Sequence, residues 1–252
     1  MTIDLTDRIV LVTGASRGIG KALAQALGAA GATVAVHYRT SREAAEDVAK
    51  VCGHGARAFG ADLAEPSACD RLFDEVLAAY GRLDVLVNNA GVAFSIPMDA
   101  AQGEWQRAWD LTMAVNLRAV EWLCRRAVRH FRAQRGGRIV NIASRAAFRG
   151  DTPEYLAYAA SKGGMVALTR SLARAFGKDG VTAFVVAPGF TRTDMAQEFI
   201  DAYGEDYAVR NLALGRMTEP EDVAPLVVLL ASGLADHATG TTIDVNAGSY
   251  VH

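Results

Sequence analysis

Short runs rich in apolar and β-branched residues recur along the chain, and their pattern predicts buried strands. The runs are Ile9–Val12, Thr33–Tyr38, Arg57–Phe59, Val85–Val87, Arg138–Ile142, Thr182–Ala187 and Thr242–Val245. Most are separated by Ala- and Leu-rich segments with helical spacing, as at Leu72, Val76 and Ala79. Near-continuous apolar strands that alternate with helices are typical of a parallel sheet. The pattern therefore predicts an α/β fold, a doubly wound parallel sheet of about seven strands with helices on both faces.

The length of the chain favours one domain. Its 252 residues fit a single large α/β domain, over residues 1–252, and leave little room for a second. The stretch Phe190–Met217 fits neither the strand nor the helix pattern, since it holds polar residues together with Gly204 and Gly215. We interpret residues 190–217 as either a substrate lid or a long surface connection, and the sequence favours neither.

Composition and charge exclude several classes of protein. The chain is 51% hydrophobic and 21% charged, as expected of a globular protein with a full core. Its net charge of −2 and pI near 6.2 give no electrostatic case for binding nucleic acid or an anionic membrane. The longest apolar stretch, around Leu226–Ala231, is too short to span a bilayer, and MTIDLTDR lacks the features of a signal peptide. Cys52, Cys69 and Cys124 form no C-x-x-C pair, so we expect no disulfide, no metal site and a cytoplasmic location.

The residues TGASRGIG, at positions 13–20, directly follow the first predicted strand. A strand, a glycine-rich turn and a helix start together bind anions, because free N–H groups and the helix dipole favour a phosphate. The glycine spacing differs from the G-x-G-x-x-G dinucleotide fingerprint, and the alternative is a tight loop with close helix packing. The position in a βα unit favours nucleotide binding. The candidate cofactor-binding residues here are Gly14, Ser16, Arg17, Gly18, Ile19 and Gly20.

Small and polar residues also follow the other predicted strands. They are Asp62, Asn88–Gly91, Ser144 and Pro188–Gly189. Taken one at a time, such residues are ordinary turn chemistry. In a doubly wound sheet, however, the carboxyl ends of the strands share one edge, and ligands bind there. The set therefore predicts a crevice for an extended ligand along that edge.

The end of the second predicted strand indicates which nucleotide is bound. Folds that bind NAD usually place a carboxylate there, which bonds the ribose 2′-hydroxyl. This chain has VAVHYRTS, with Tyr38 and Arg39 at that point and no acid before Glu43. An arginine pairs with the 2′-phosphate of NADP, which a carboxylate would repel, and we expect Arg17 to reach the same phosphate. The sequence therefore predicts NADP(H), although exposed arginines are often only solvated charges.

The stretch YLAYAASKGG carries a candidate acid. Tyr158 and Lys162 are four residues apart and share one face of a helix. A nearby ammonium favours the charged form of a phenol and lowers its pKa from about 10, which suits Tyr158 for general acid catalysis. Ser144 could donate a hydrogen bond to the substrate oxygen. Tyr155 is the weaker candidate, because Ala159 stands four residues on.

With TGASRGIG, NNAG, Ser144 and Y-A-A-S-K in that order, the sequence resembles the short-chain dehydrogenase/reductase family over nearly its whole length. The resemblance implies a Rossmann-like sheet and hydride transfer between a nicotinamide and a carbonyl carbon. It also implies that Tyr158 gives a proton to the carbonyl oxygen, Lys162 bonds the nicotinamide ribose and Ser144 orients the substrate oxygen. Asn116, in MAVNL, matches the asparagine of the family's proton relay and completes the catalytic set.

The same resemblance assigns the remaining cofactor contacts. It implies that Asp62 bonds the adenine, that Asn88–Gly91 packs beside the adenosine ribose, and that PGFTRTD shapes the nicotinamide site. The cofactor-binding residues it adds are Tyr38, Arg39, Asp62, Leu63, Asn89, Ala90, Gly91, Tyr158, Lys162, Pro188, Gly189, Thr191 and Thr193. Ser144 and Tyr158 are 14 positions apart (158 − 144), one more than in many members, so analogy does not indicate the substrate.

Among the subfamilies, the sequence looks most like the 3-oxoacyl-(acyl-carrier-protein) reductases of fatty acid biosynthesis, on TGASRGIG, APGFTRTDM and TGTTIDVNAG. That likeness implies a 3-oxoacyl thioester substrate and a homotetramer paired through Trp105–Phe131 and Pro153–Phe176. Arg129 and Arg174 match the positions that dock the acyl-carrier protein, unless they are solvated surface charges. The tail NAGSYVH departs from the subfamily.

Two alternative functions stay open at this point. The first is a reductase of a free small ketone, sugar or xenobiotic carbonyl. The second is a non-catalytic NADP(H)-sensing protein on the same fold, since fold alone does not assign function. The complete set of Asn116, Ser144, Tyr158 and Lys162 argues against the second, because a binding protein has no need of the acid and its lysine.

Overall fold

The computed structural model describes residues 2–194, 196–197, 200, 204 and 209–251. Its strands are β1 (Ile9–Val12), β2 (Thr33–Tyr38), β3 (Arg57–Gly60), β4 (Val85–Asn88), β5 (Gly137–Ile142), β6 (Val181–Pro188) and β7 (Thr242–Val245). Each lies within one residue of the predicted run at either end. The local apolar pattern is therefore sufficient to locate the strands.

Within the described residues, these seven strands form one parallel sheet in the order β3-β2-β1-β4-β5-β6-β7. Because β1 pairs with both β2 and β4, the chain winds outward from β1 in two directions. The predicted Rossmann-like, doubly wound sheet is confirmed. Sheets of this kind bind ligands at the carboxyl ends of the strands, beside the point where the order reverses.

Helices cover both faces of the sheet. They are α1 (Gly18–Ala29), α2 (Arg42–Cys52), α3 (Pro66–Tyr80), α4 (Gln102–Met113), α5 (Ala119–Gln134), α6 (Ala146–Arg149), α7 (Leu156–Phe176) and α8 (Pro220–Ser232). One apolar layer joins α3, α5 and α7 to the sheet and the other joins α1, α2 and α8 to it. Successive strand residues supply opposite layers, so Leu11 packs into the first and its neighbours Val10 and Val12 into the second.

A π-helical turn at Ala114–Arg118 joins α4 to α5 without a break. Such turns are rare, and they are frequent at functional sites because the wider turn displaces backbone groups from their usual partners. Asn116 lies at the centre of this turn and is fully buried. The local backbone thus distinguishes this asparagine from an ordinary polar residue of a long helix.

Part of the segment 190–217 lies outside the described residues, so its interpretation as a substrate lid stays a prediction. The described part begins at the end of β6, where Thr191 bridges to Thr218. Among the helices described, none has the length and apolar character needed to cross a bilayer.

Candidate active site

The glycine-rich turn after β1 forms the first part of the site. Gly14 and Gly18 have φ values of +63° and +52°, a region that favours glycine. Gly20 is required for space, because a Cβ there would overlap the Gly14 carbonyl oxygen. Helix α1 has no acidic residue in its first turn, and its cap residue Arg17 makes no side-chain capping bond. The first N–H groups of α1 are therefore left for an anionic ligand, which fits the pyrophosphate of a dinucleotide.

Hydrogen bonds join this turn to the loop after β4. Thr13 Oγ1 accepts hydrogen bonds from the N–H groups of Asn89, at 2.9 Å, and Ala90, at 3.0 Å. The Asn89 side chain donates to the carbonyl oxygens of Thr13, at 2.9 Å, and Gly14, at 3.1 Å. The structure thus brings together the two loops that the sequence assigned to the cofactor. The other candidate contacts in the turn, Ser16 and Ile19, are half-buried.

His37 is a site residue that the sequence analysis missed. Its Nδ1 accepts the Gly14 N–H at 2.9 Å, and its Nε2 lies 3.1 Å from the Ala61 carbonyl oxygen, to which it donates in this tautomer. Burial lowers the pKa of His37 to about 4, so the ring is neutral near pH 7. Its only sequence signal was a polar ring inside the apolar run VAVHY. We call residues 13–20, His37, Asn89 and Ala90 the cofactor cradle.

The end of β2 presents the two arginines predicted to select NADP. Arg39 is exposed, and its side chain makes no hydrogen bond or ion pair with any residue that the structure describes. The Tyr38 ring lies against the backbone of Gly60 in β3. Arg17 forms an exposed ion pair with Asp194 at 3.1 Å. Both arginines lie on loops at the carboxyl edge of the sheet, which an anionic group can approach from solvent.

Asp62 and Leu63 follow β3 at the same edge. The Asp62 carboxylate is exposed and accepts the Ala64 N–H at 3.0 Å, while Leu63 is buried. This bond fixes the carboxylate close to the end of the strand. Asp62 is thereby available for the adenine contact that the resemblance implies.

Ser144 and Tyr158 meet beyond the end of β5. Ser144 Oγ accepts the Ala146 N–H at 3.1 Å, which fixes its position. Burial raises the pKa of Tyr158, the hydrogen bond with Ser144 opposes that rise, and the charge of Asp151 adds to it. The expected net fall in this pKa was wrong in direction, because burial outweighs the groups that lower it. Tyr158 is consequently a protonated phenol at neutral pH.

Lys162 lies beneath Tyr158 on α7. Its side chain is 3% exposed, its Nζ donates to the Ile142 carbonyl oxygen at 2.8 Å, and that Nζ lies 5.7 Å from the centre of the Tyr158 ring. Burial lowers the pKa of Lys162 to about 8. Gly91 approaches the same ammonium, since a Cβ on it would lie 3.5 Å from Nζ. The lysine therefore sits between the cofactor loop and the tyrosine.

Asn116 is held on both sides of its amide. Its Oδ1 accepts the Val92 N–H at 2.8 Å, and its Nδ2 donates to the Val92 carbonyl oxygen at 2.8 Å and to Ser161 Oγ at 3.1 Å. Through these bonds the π-helical turn is tied to the loop after β4 and to α7. We call Asn116, Ser144, Tyr158 and Lys162 the catalytic cluster.

The segment after β6 closes the site opposite Ser144. The Pro188 carbonyl oxygen accepts the Arg145 N–H at 3.0 Å, and the Gly189 N–H donates to the Val245 carbonyl oxygen at 2.9 Å. The next two predicted contacts are linked to this turn, Thr191 through the Gly189 carbonyl oxygen and Thr193 through that of Thr191. The methyl group of Thr193 also packs against Gly18, so this segment borders the glycine-rich turn.

The two arginines predicted to dock a carrier protein lie elsewhere. Arg129 is exposed on α5 and Arg174 is exposed on α7. These two helices pack against each other. Among the described residues, no group of His, Cys, Asp and Glu side chains could hold a metal ion.

Comparisons with known proteins agree with this geometry. A family model described as enoyl-(acyl carrier protein) reductase matches residues 14–250. A 3-oxoacyl-(acyl-carrier-protein) reductase of Haemophilus influenzae is 36% identical over 248 residues, which cover 98% of this chain and 100% of that protein. The 3beta-hydroxysteroid dehydrogenase 1 of Eggerthella lenta is 37% identical over 251 residues, with 97% and 94% covered.

A solved structure is similar over the whole fold. The crystal structure of a dehydrogenase/reductase from Sinorhizobium meliloti superposes with a TM-score of 0.89 at 35% identity, over 99% of this chain and 98% of that one. The similarity therefore extends across the cradle, the cluster and both helical layers.

Proposed function

Because the chain belongs to the short-chain dehydrogenase/reductase family, we propose that it is an NADPH-dependent enzyme that reduces a carbonyl group to a secondary alcohol. The observation that carries this proposal is the Tyr158 phenol, whose ring centre lies 5.7 Å from the buried Lys162 ammonium and whose pKa Ser144 acts to lower. A phenol beside a buried cation can give up a proton and remain stabilised as the phenolate. A protein that only binds nucleotide has no use for this arrangement.

The cofactor cradle suits a dinucleotide. Its glycines let a ligand approach the backbone closely, and the N-terminus of α1 and the N–H groups of the turn favour a pyrophosphate. Arg17 and Arg39 would pair with a 2′-phosphate, and Asp62 would bond the adenine. When bound, reduced nicotinamide supplies the hydride for the reaction.

The chain's own residues would transfer the proton and orient the substrate. Ser144 would donate a hydrogen bond to the substrate carbonyl oxygen, and Tyr158 Oη would deliver its proton to the same oxygen as the alcohol forms. Lys162, charged below its pKa of about 8, stabilises the phenolate left behind. Asn116 holds the loop beside the lysine and would support the return of a proton to Tyr158 through Lys162.

A 3-oxoacyl group is the first substrate candidate, because a 3-oxoacyl-(acyl-carrier-protein) reductase is among the relatives. The exposed Arg129 and Arg174 would then dock an acidic carrier protein. We further propose that the protein is a tetramer whose subunits pair through α4, α5 and α7. We propose a cytoplasmic location for it. The second candidate is a free carbonyl compound, which the steroid dehydrogenase among the relatives favours.

The test is the initial rate of NADPH oxidation with an acetoacetyl thioester, beside NADH and beside Tyr158→Phe. We expect a rate that favours NADPH and falls by roughly 10²- to 10⁴-fold in Tyr158→Phe. Tyr155→Phe is the matched control, since Tyr155 has Ala159 rather than a lysine four residues on, and it should keep most of the rate. Equal rates in wild type and Tyr158→Phe would overturn the assignment of the acid. No rate with thioesters, ketones or sugars in a protein that binds NADPH would favour the non-catalytic alternative.

A further inference from the structure

An ion pair between Arg17 and Asp194 joins the glycine-rich turn to the segment after β6. Arg17 Nη1 donates to Asp194 Oδ2 at 3.1 Å, across 177 positions of the chain. A second contact lies beside this pair, because the Thr193 methyl group is 3.4 Å from the position that a Cβ on Gly18 would take. The Asp194 carboxylate is therefore held at the border of the cofactor cradle.

This ion pair is weaker than other arginine pairs of the chain. Both side chains are exposed, 76% for Arg17 and 73% for Asp194, and a single hydrogen bond joins them. Arg138 and Asp236, in contrast, are partly buried and joined by two hydrogen bonds, at 2.9 and 2.7 Å. Exposed pairs contribute little to stability, because water and salt screen the charges. Arg17 can consequently exchange Asp194 for another anion at little cost to the fold.

A 2′-phosphate would be a stronger partner for Arg17 than the Asp194 carboxylate is. A phosphate monoester carries a charge of about −1.5 to −2 at neutral pH and offers three acceptor oxygens. A guanidinium bonds phosphate through two parallel hydrogen bonds. In the part of the chain that the structure describes, the Arg17 side chain has no bonded partner besides Asp194. NADPH would thus displace Asp194 from Arg17, whereas NADH, which lacks this phosphate, would leave the ion pair intact.

We propose that Asp194 lowers the affinity of the enzyme for NADP(H) by competing with the 2′-phosphate for Arg17. This inference rests on the proposed binding of NADP(H) and adds a residue that sets the ratio of NADPH to NADH affinity. Among variants of one binding site, affinity differences arise mainly from the dissociation rate. The competing carboxylate therefore also speeds release of the nucleotide, the kind of step that limits turnover in many enzymes.

The experiment is a double-mutant cycle on nucleotide binding, with Asp194→Asn, Arg17→Gln and the two combined. Fluorescence titration gives the Kd of each protein for NADPH and for NADH, and stopped-flow mixing gives the NADPH dissociation rate. Asp194→Asn should bind NADPH roughly two- to fivefold more tightly, release it more slowly by the same factor, and bind NADH as wild type does. In the Arg17→Gln background the same substitution should change neither Kd, because no guanidinium is left to compete for.

Asp74→Asn is the matched control for loss of an exposed carboxylate that pairs with an arginine. Asp74 lies on α3 and pairs with Arg126, outside the cofactor cradle. Its replacement removes one negative charge and one exposed ion pair. Both Kd values should therefore match those of wild type.

Other outcomes separate this inference from the proposed function. Equal tightening of NADPH and NADH by Asp194→Asn, kept in the Arg17→Gln background, would overturn the inference, because the carboxylate would then only repel the pyrophosphate that both share. Unchanged or weaker NADPH binding by Asp194→Asn would overturn it as well. Wild-type NADPH binding by Arg17→Gln would remove Arg17 from the 2′-phosphate and end the inference, while carbonyl reduction could still be measured. Failure of the wild-type protein to bind either nucleotide would overturn the proposed function itself.

Discussion

The cofactor cradle and the catalytic cluster lie at the same edge of the sheet, but the first consists mainly of backbone groups and the second of side chains. The cradle is mostly backbone, held in place by buried side chains such as Thr13 and His37 that are fully hydrogen-bonded within the fold. The cluster depends on side chains, and it buries the Lys162 ammonium with a carbonyl oxygen, rather than a carboxylate, as its hydrogen-bond acceptor. The bonds that form the cradle also join β1, β2 and β4, whereas the charge in the cluster is unfavourable to folding.

The two regions therefore differ in how a substitution should change stability and function: both should fall together in the cradle, whereas in the cluster stability should rise as activity falls. In the cradle, the turn that would bind the cofactor is held in place by the same hydrogen bonds that join β1, β2 and β4, so loss of those bonds should weaken both stability and binding. In the cluster, removing the functional charge should relieve the fold while stopping the chemistry. Active sites commonly contain groups that lower the stability of the folded protein in this way.

Lys162→Met tests the cluster side of this comparison and should have the largest effect on activity. The folded-state pKa of about 8 lies below the ordinary value of 10.5, so the charged lysine destabilises the fold at every pH below about 8. Removing it relieves about 3 kcal/mol, less the cost of leaving the Ile142 carbonyl unpaired, for a net rise of roughly 1–2 kcal/mol in the free energy of unfolding. The kcat should fall by roughly 10²- to 10⁴-fold.

Urea denaturation and steady-state kinetics at pH 7 measure both quantities for Lys162→Met. Lys50→Met is the control, because Lys50 is exposed in the last turn of α2, and it should change neither. A Lys162→Met protein that is less stable than wild type would contradict the idea that the buried ammonium is unfavourable to folding.

Gly20→Ala tests the cradle side, where binding and stability should fall together. The added Cβ would overlap the Gly14 carbonyl oxygen and the Asn89 side-chain nitrogen, so the turn must move. Overpacking of this kind costs about 1–3 kcal/mol of stability, and displacement of the turn should weaken NADPH binding by roughly 10- to 100-fold.

Fluorescence titration with NADPH and thermal unfolding measure the two effects of Gly20→Ala. Gly177→Ala is the matched control, since a Cβ at Gly177 meets open space and its φ is −58°. A Gly20→Ala protein that binds NADPH as tightly as wild type would separate the cradle from cofactor binding.

The fold and the chemical outline of the site could be predicted because their signals are local. Each strand is a short apolar run, and the glycines of residues 13–20 and the pair Tyr158 and Lys162 are a few positions apart. Such patterns follow from the periodicity of helices and strands, so they can be recognised from the spacing of residues in the sequence.

Other features depend on contacts that sequence spacing does not state. The role of His37 comes from Gly14 and Ala61, which are 23 and 24 positions away. The direction of the Tyr158 pKa shift depends on burial under the finished fold, which the helical spacing to Lys162 could not indicate.

His37→Asn examines whether the cradle is sensitive to pH. Since the pKa of His37 is lowered from 6.5 to about 4, the unfolded chain binds a proton that the folded one excludes between these values. Stability should therefore fall as pH falls from 6.5 towards 4, by up to about 3 kcal/mol from this residue. His37→Asn should be less stable at pH 7.5 and should lose most of that pH dependence.

Urea denaturation at pH 7.5 and pH 5 measures this slope. Partial burial lowers the pKa of His130 as well, so a smaller slope should remain in the variant. His237→Asn is the control, because His237 is exposed, and it should keep the full wild-type slope. An unchanged slope in His37→Asn would show that this ring does not couple the cradle to pH.

Arg39→Gln should produce the smallest effect, because Arg39 is exposed and makes no bond that the fold depends on. Stability should stay within about 0.5 kcal/mol of wild type. Loss of a charge-assisted bond to the 2′-phosphate should weaken NADPH binding by roughly tenfold and leave NADH binding nearly unchanged. Titration with both nucleotides measures the ratio of the dissociation constants for NADPH and NADH. Arg42→Gln is the control, since Arg42 is exposed and paired with Glu46 at 2.7 Å. Equal losses for NADPH and NADH would assign Arg39 to a part of the cofactor that both share, and the preference for NADP would then depend on Arg17 alone.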